Sequence, residues 1–87
     1  MIAITNEKFW KSVKKLKNSQ VAESVLNVIE NVETAQTWQD IKELKRLKGA
    51  IAYRIRIGDY RIGVLIEENT VEFISVGHRK EFYQTFP

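Results

Sequence analysis

The apolar residues of this 87-residue chain change their spacing at Gly49. Before Gly49 they recur every three or four residues, which is the period of an amphipathic helix, and after it they alternate with polar residues, as in a half-buried strand. This order of the two patterns predicts an α+β fold, in which the helices pack on one face of a mostly antiparallel sheet.

A helical hairpin is predicted before Gly49, after a short strand at residues 2–5. Asn6 is expected to cap a first helix and Asn18 a second, because asparagine at this position accepts hydrogen bonds from the free N–H groups of the first turn. The apolar stripe runs at helical spacing from Phe9 to Val32. The short break between the helices predicts that they are antiparallel.

One further helical turn is predicted to begin at Thr37, because Thr37 and Asp40 have the spacing of a capping box. Ile41, Leu44 and Leu47 would continue this turn at helical spacing and anchor it to the core.

Three hairpin-linked strands are predicted after Gly49, and a short C-terminal tail or helix follows them. Gly58-Asp59 has the sequence of a two-residue hairpin turn, and residues 67–70 form the next turn. The predicted order of the elements is therefore β-α-α-β-β-β.

Composition excludes several classes of protein. There is no cysteine and a single histidine, so a disulfide framework and a thiolate metal site are excluded, and a histidine-based zinc site is not expected. No apolar run approaches the about 20 residues of a membrane-spanning helix, and the first residues lack the basic-then-apolar order of a signal peptide. We expect a single domain over residues 1–87, located in the cytoplasm and without a membrane partner.

Positive charge is concentrated in the middle of the chain. Residues 42–61 carry seven lysines and arginines against two acidic residues, whereas residues 1–41 are neutral overall. Such a segment is typical of a surface that binds a polyanion, although a solvated face that only maintains solubility has the same composition.

The predicted hairpin register gives this charge a geometry. With Gly58-Asp59 as the turn, Arg56 lies directly opposite Arg61, and Arg54 lies one pair further along the same face. Like charges opposed across a ladder are destabilising, and a bound anion would reverse the sign of that effect. Arginine is well suited to phosphate oxygens, but a solvated open sheet face remains the alternative.

Continuing the same register through the next turn pairs Arg61 with Val76 and brings His78 and Arg79 close to the arginines. Gly63 has no side chain and is expected to leave room for the backbone of a ligand. The four arginines Arg54, Arg56, Arg61 and Arg79 are thus predicted to converge on the face opposite the helices.

Two other side chains are candidates for chemistry. Histidine is the residue type whose ordinary pKa is nearest neutrality, so His78 is a candidate to exchange a proton with a reacting group; the alternative is a histidine that is hydrogen-bonded at a strand end. Tyr83 is a candidate to stack on a base, and packing within the C-terminal tail is the alternative.

The stretches Leu47-Lys48-Gly49, Tyr53 to Ile62 and Val76-Gly77-His78-Arg79, with Tyr83 following, resemble the RelE/ParE superfamily of toxins from type II toxin–antitoxin modules. The resemblance covers essentially the whole chain. It implies the RelE/ParE toxin fold and a cognate antitoxin protein as partner, which we expect to be small and acidic.

In the RelE branch, the resemblance implies a ribosome-dependent mRNA interferase that inhibits translation and needs neither a metal nor a cofactor. Such an endoribonuclease activates a ribose 2′-hydroxyl for attack on the adjacent phosphate. The resemblance implies catalytic roles for Arg56, Arg61, His78, Arg79 and Tyr83, and phosphate binding by Lys45, Lys48 and Arg54.

One departure from RelE limits these roles, because RelE itself has lysines where this chain has Arg54 and Arg56. Arginine effectively cannot lose its proton, so neither is expected to act as a general base. His78 is the better proton carrier. Two alternatives remain, namely a ParE-like inhibitor of DNA gyrase without nuclease activity, and a basic RNA-binding domain without catalysis.

Overall fold

The computed structural model describes residues 1–49 and 51–87, which form five strands, three α-helices and one 3-10 turn. In chain order they are β1 (Ile2–Ile4), α1 (Glu7–Lys15), α2 (Ser19–Thr34), the 3-10 turn (Trp38–Asp40), β2 (Leu44–Arg46), β3 (Ala52–Ile57), β4 (Tyr60–Glu67), β5 (Thr70–His78) and α3 (Arg79–Thr85).

The five strands form one sheet in the order β1-β5-β4-β3-β2. All neighbours are antiparallel except β1 and β5, which run parallel. Helices α1 and α2 cover one face, and the main core lies between the helices and that face. The predicted α+β architecture is confirmed. The fully buried side chains of the main core include Phe9, Val25 and Val32 from the helices and Ile55, Ile62, Val64 and Phe73 from the strands.

Both long helices begin at the predicted asparagines. The Asn6 side-chain oxygen accepts a hydrogen bond from the Phe9 N–H at 2.8 Å. The Asn18 oxygen accepts from the N–H groups of Gln20 and Val21 at 3.0 and 3.1 Å. Each cap satisfies donors that have no partner within the helix. Within the described residues, no helix is long and apolar enough to cross a membrane.

The segment after α2 differs from the prediction, because the helical turn that begins after Thr37 ends at Asp40 and an additional strand, β2, follows. Glu43 adopts a positive φ of 61°, which stops a helix from continuing. Residues 44–46 then pair with β3 and cover part of its edge. Leu44 still packs against the main core, but Leu47 packs on the other side of the sheet.

A bulge in the second hairpin corrects the predicted register. Val64 faces Phe73 as predicted, but a shift between Gly63 and Val64 places Arg61 opposite Gly77. The predicted pairing of Arg61 with Val76 is therefore wrong. The physical reason is burial, because the bulge turns the apolar Val76 into the main core, where strict alternation would have placed a serine.

Helix α3 packs on the face of the sheet opposite α1 and α2. Phe82 and Phe86 are buried there together with Ala52, and Leu47, Leu65 and Ile74 pack around them. A Cβ atom built on Gly63 would lie 2.8 Å from the Phe86 ring. The expectation that Gly63 leaves room for a ligand is therefore wrong, since the phenyl ring of Phe86 fills that space.

Replacement of Gly63 by alanine is expected to push Phe86 out of its position and to lower the free energy of unfolding by about 1–3 kcal/mol, as overpacking does. Gly77→Ala is the matched control, because the nearest atom to its added Cβ is the Phe82 Cα at 3.9 Å. Urea denaturation followed by circular dichroism measures both. Equal losses in the two variants would contradict the role given to Phe86.

Candidate nucleic-acid interface

Four of the predicted cationic side chains share the face of the sheet opposite α1 and α2. Lys45 and Arg54 are directly opposed across β2 and β3, and Arg56 and Arg61 are directly opposed across β3 and β4. The intervening Ile55 is buried in the main core, so alternation directs the cations to the other face. The predicted opposition of Arg56 and Arg61 is confirmed. We call the surface formed by Lys45, Arg54, Arg56 and Arg61 the arginine face.

Arg54 connects the arginine face to the edge of the sheet. Its terminal nitrogen donates a hydrogen bond to the Glu43 carbonyl oxygen at 2.8 Å. Its Nε is buried and has no hydrogen-bond partner among the described residues. The guanidinium therefore holds the start of β2 against β3 in addition to carrying charge.

The turn between β3 and β4 contacts Arg61 and one further cationic residue, Arg79. The Arg61 guanidinium donates to the carbonyl oxygens of Gly58 and Tyr60 at 2.9 and 3.0 Å. The Arg79 N–H donates to the Asp59 carbonyl oxygen at 2.8 Å, and its Nε lies 3.9 Å from the Asp59 carboxylate. Arg79 is thus held by Asp59 against the same turn that Arg61 contacts, and the sequence analysis used Asp59 only to place the hairpin.

Arg56, like Lys45, is exposed and available to bind an anion. In the described residues no hydrogen bond or ion pair holds its side chain. It lies directly opposite Arg61, whose charge repels it. An anion bound between the two guanidinium groups would relieve that repulsion.

His78 is separated from the arginine face. It pairs with Tyr60 across β4 and β5, and the two rings are in edge contact with centroids 5.4 Å apart. Because Tyr60 packs against the main core, His78 lies on the side of the sheet that α1 and α2 cover, at the end of β5. The His78 Nδ1 accepts a hydrogen bond from the Lys80 N–H at 3.2 Å and so caps α3. His78 is therefore hydrogen-bonded at the end of a strand, which is the alternative to proton transfer that the sequence left open.

The remaining two predicted residues, Tyr83 and Lys48, lie outside the arginine face. Tyr83 is 51% exposed on α3, and its ring meets the Phe82 ring at 5.0 Å between centroids. Lys48 is exposed beyond the end of β2, at the opposite end of β3 from the Gly58-Asp59 turn. The structure therefore does not bring Lys48 to the arginine pair.

The cap formed by His78 can be tested by two substitutions. His78→Ala removes the acceptor at the start of α3 and is expected to lower the free energy of unfolding by about 0.5–2 kcal/mol. His78→Asn supplies a preferred capping oxygen and should retain most of that stability. Chemical denaturation measures both variants, and equal losses would show that the Lys80 contact contributes little.

Comparison with protein families places most of the chain in one of them. Residues 4–83 match a family model described as the ParE toxin of the type II toxin–antitoxin system, parDE. A curated relative, Toxin RelE3 of Methanocaldococcus jannaschii, is 51% identical over 35 residues. That alignment covers 40% of this chain and 40% of the relative.

Solved structures with a similar fold cover nearly the full chain. A RelB–RelE antitoxin–toxin complex from Methanococcus jannaschii contains a chain that is 30% identical, with a TM-score of 0.78 over 97% of this chain and 99% of that one. The toxin–antitoxin complex RelBE2 of Mycobacterium tuberculosis matches with a TM-score of 0.70 at 20% identity, over 90% of this chain and 96% of that one. At the lower identity the likeness concerns the fold alone.

Proposed function

This chain belongs to the RelE/ParE superfamily of type II toxins, and from that premise we propose that it is an mRNA interferase that cleaves messages on the ribosome. The observation that carries the proposal is the arginine face, on which Arg56 and Arg61 are opposed without an acidic partner between them. Such an arrangement is costly for folding alone and suits an RNA phosphate.

The proposed reaction is an attack by a ribose 2′-hydroxyl on the adjacent phosphate. The bond from the 2′-oxygen to phosphorus forms, the bond from phosphorus to the 5′-oxygen breaks, and a cyclic phosphate results. Arg56, Arg61 and Arg79 would stabilise the negative charge that develops on the phosphoryl oxygens. Lys45 and Arg54 would hold neighbouring phosphates, Lys48 would hold a more distant phosphate of the same strand, and Tyr83 would stack on a base.

Two proton transfers accompany this reaction. The 2′-hydroxyl releases its proton to solvent water, and the leaving 5′-oxygen takes up one proton. Because the Nδ1 of His78 accepts the Lys80 N–H, the proton of the neutral ring resides on Nε2. A neutral imidazole is too weak an acid to protonate the 5′-oxygen, so His78 would act as the proton donor only as an imidazolium that has released the Lys80 N–H, and only toward a nucleotide that reaches the end of β5 beyond the arginine face.

The partner of such a toxin would be a cognate antitoxin. Two of the solved structures similar to this chain are complexes of a toxin with its antitoxin. The basic surface of this chain favours an acidic partner, and a ribosome-bound substrate would place the toxin in the cytoplasm.

Arg56→Ala is expected to lower message cleavage by about 100-fold or more, the loss typical when one preorganised charge-stabilising group is removed. Primer extension on messages from cells after induced expression measures the cleavage. Lys15→Ala is the control, since it removes one positive charge from α1 on the other side of the sheet. Undiminished cleavage by Arg56→Ala, with folding intact by circular dichroism, would refute the catalytic assignment.

A gyrase inhibitor is the second candidate, because the matching family model is that of a ParE toxin. The same induction experiment separates the two. Cleaved messages without DNA damage support the interferase, whereas an SOS response with broken DNA and intact messages supports a gyrase-binding protein.

A further inference from the structure

A cavity of about 220 Å³ lies between α2 and the free end of β3. It exists because β2 begins at Leu44, opposite Ile55, so that the last residues of β3 have no neighbouring strand on that side. Its lining includes the apolar residues Val28 and Ile55, and Arg56 contributes to its border. The cavity therefore adjoins Arg56, one of the three arginines to which we assign charge stabilisation.

The polar and charged residues that line this cavity are Asn27, Asn31, Lys42, Glu43 and Arg56. Asn27 and Asn31 are one helical turn apart on α2, and Lys42 lies beside them. The Asn31 oxygen accepts the Lys42 N–H at 3.1 Å, which leaves the Asn31 amide NH₂ free to donate. The Asn27 side chain forms no hydrogen bond with the described part of the chain.

Asn27 is exposed and therefore accessible to a ligand. Asparagine is among the less favourable residues in a helix interior, and Asn27 lies in the middle of α2 without the structural contact that Asn31 makes. Carboxamide side chains are suited to the donor and acceptor pattern of a base edge. A guanidinium plane such as that of Arg56 is a surface on which an unstacked base can lie.

The size of the cavity is compatible with one nucleobase. It is smaller than the about 300–1,000 Å³ of pockets that hold drug-sized molecules, and so it suits one flat ring system rather than a whole nucleotide. Lys42 and Arg56 at its border suit the phosphates on either side of that base.

We propose that this cavity binds one unstacked base of single-stranded RNA, that Asn27 and Asn31 read the edge of that base, and that they thereby set the sequence preference of the protein. This inference rests on the proposed function for the identity of the polymer. It concerns base selection and not the cleavage step.

The test is the affinity of the isolated protein for labelled hexaribonucleotides of A, of C, of U, or of alternating G and U, measured by fluorescence anisotropy at low salt. The wild-type protein is expected to prefer one of them by about tenfold. Asn27→Ala should reduce the differences to about twofold without weakening the poorest ligand. Asn31→Asp keeps the oxygen that accepts the Lys42 N–H and removes the donor, so it should also lose the preference.

Asn69→Ala is the control, because Asn69 is an exposed amide in the turn between β4 and β5, and this variant should keep the wild-type preference. Equal affinities in the wild-type protein, or a preference that both cavity variants retain, would overturn the inference and assign the cavity to another ligand.

Message cleavage by the same variants is measured separately from RNA affinity. If the cavity variants lose preference while Arg56→Ala still cleaves messages, the base site stands and the assignment of Arg56 falls.

Discussion

The two-residue turn Gly58-Asp59 determines which face of the sheet every side chain of β3 and β4 occupies. Gly58 has a φ of 61°, the positive value that a hairpin turn of this type requires at its first central position. Because side chains alternate along a strand, a slip of one residue would exchange Ile55 and Ile62 with the arginines. The main core and the arginine face are therefore two results of one turn.

This dependence explains why the first hairpin was predictable from the sequence. Its turn and its alternation of apolar and basic residues agree, so only one register buries Ile55 against Ile62 and also exposes Arg56 and Arg61. The helices were predictable for a similar reason, since the capping residues Asn6 and Asn18 coincide with the start of each apolar stripe.

Other features depend on contacts between residues far apart, which no local pattern records. The bulge beside Gly63 follows from the burial of Val76, and the only local signal is Ser75 at a position that strict alternation would bury. Phe86 fills the space above Gly63 from 23 positions away. The sequence likewise did not predict that His78 lies on the side of the sheet covered by α1 and α2. That position follows from the register shift, which places His78 opposite Tyr60.

The parallel pairing of β1 with β5 has a consequence for the order in which the protein assembles during translation. β1 pairs with residues 70–72, which are synthesised long after it, and α1 and α2 emerge before every strand of the sheet except β1. The apolar sides of α1 and α2 therefore stay exposed to water until most of the polypeptide has left the ribosome. Arg79 and Tyr83 follow last of all, so a nascent fragment that stops before α3 cannot present the complete set of cationic and aromatic groups.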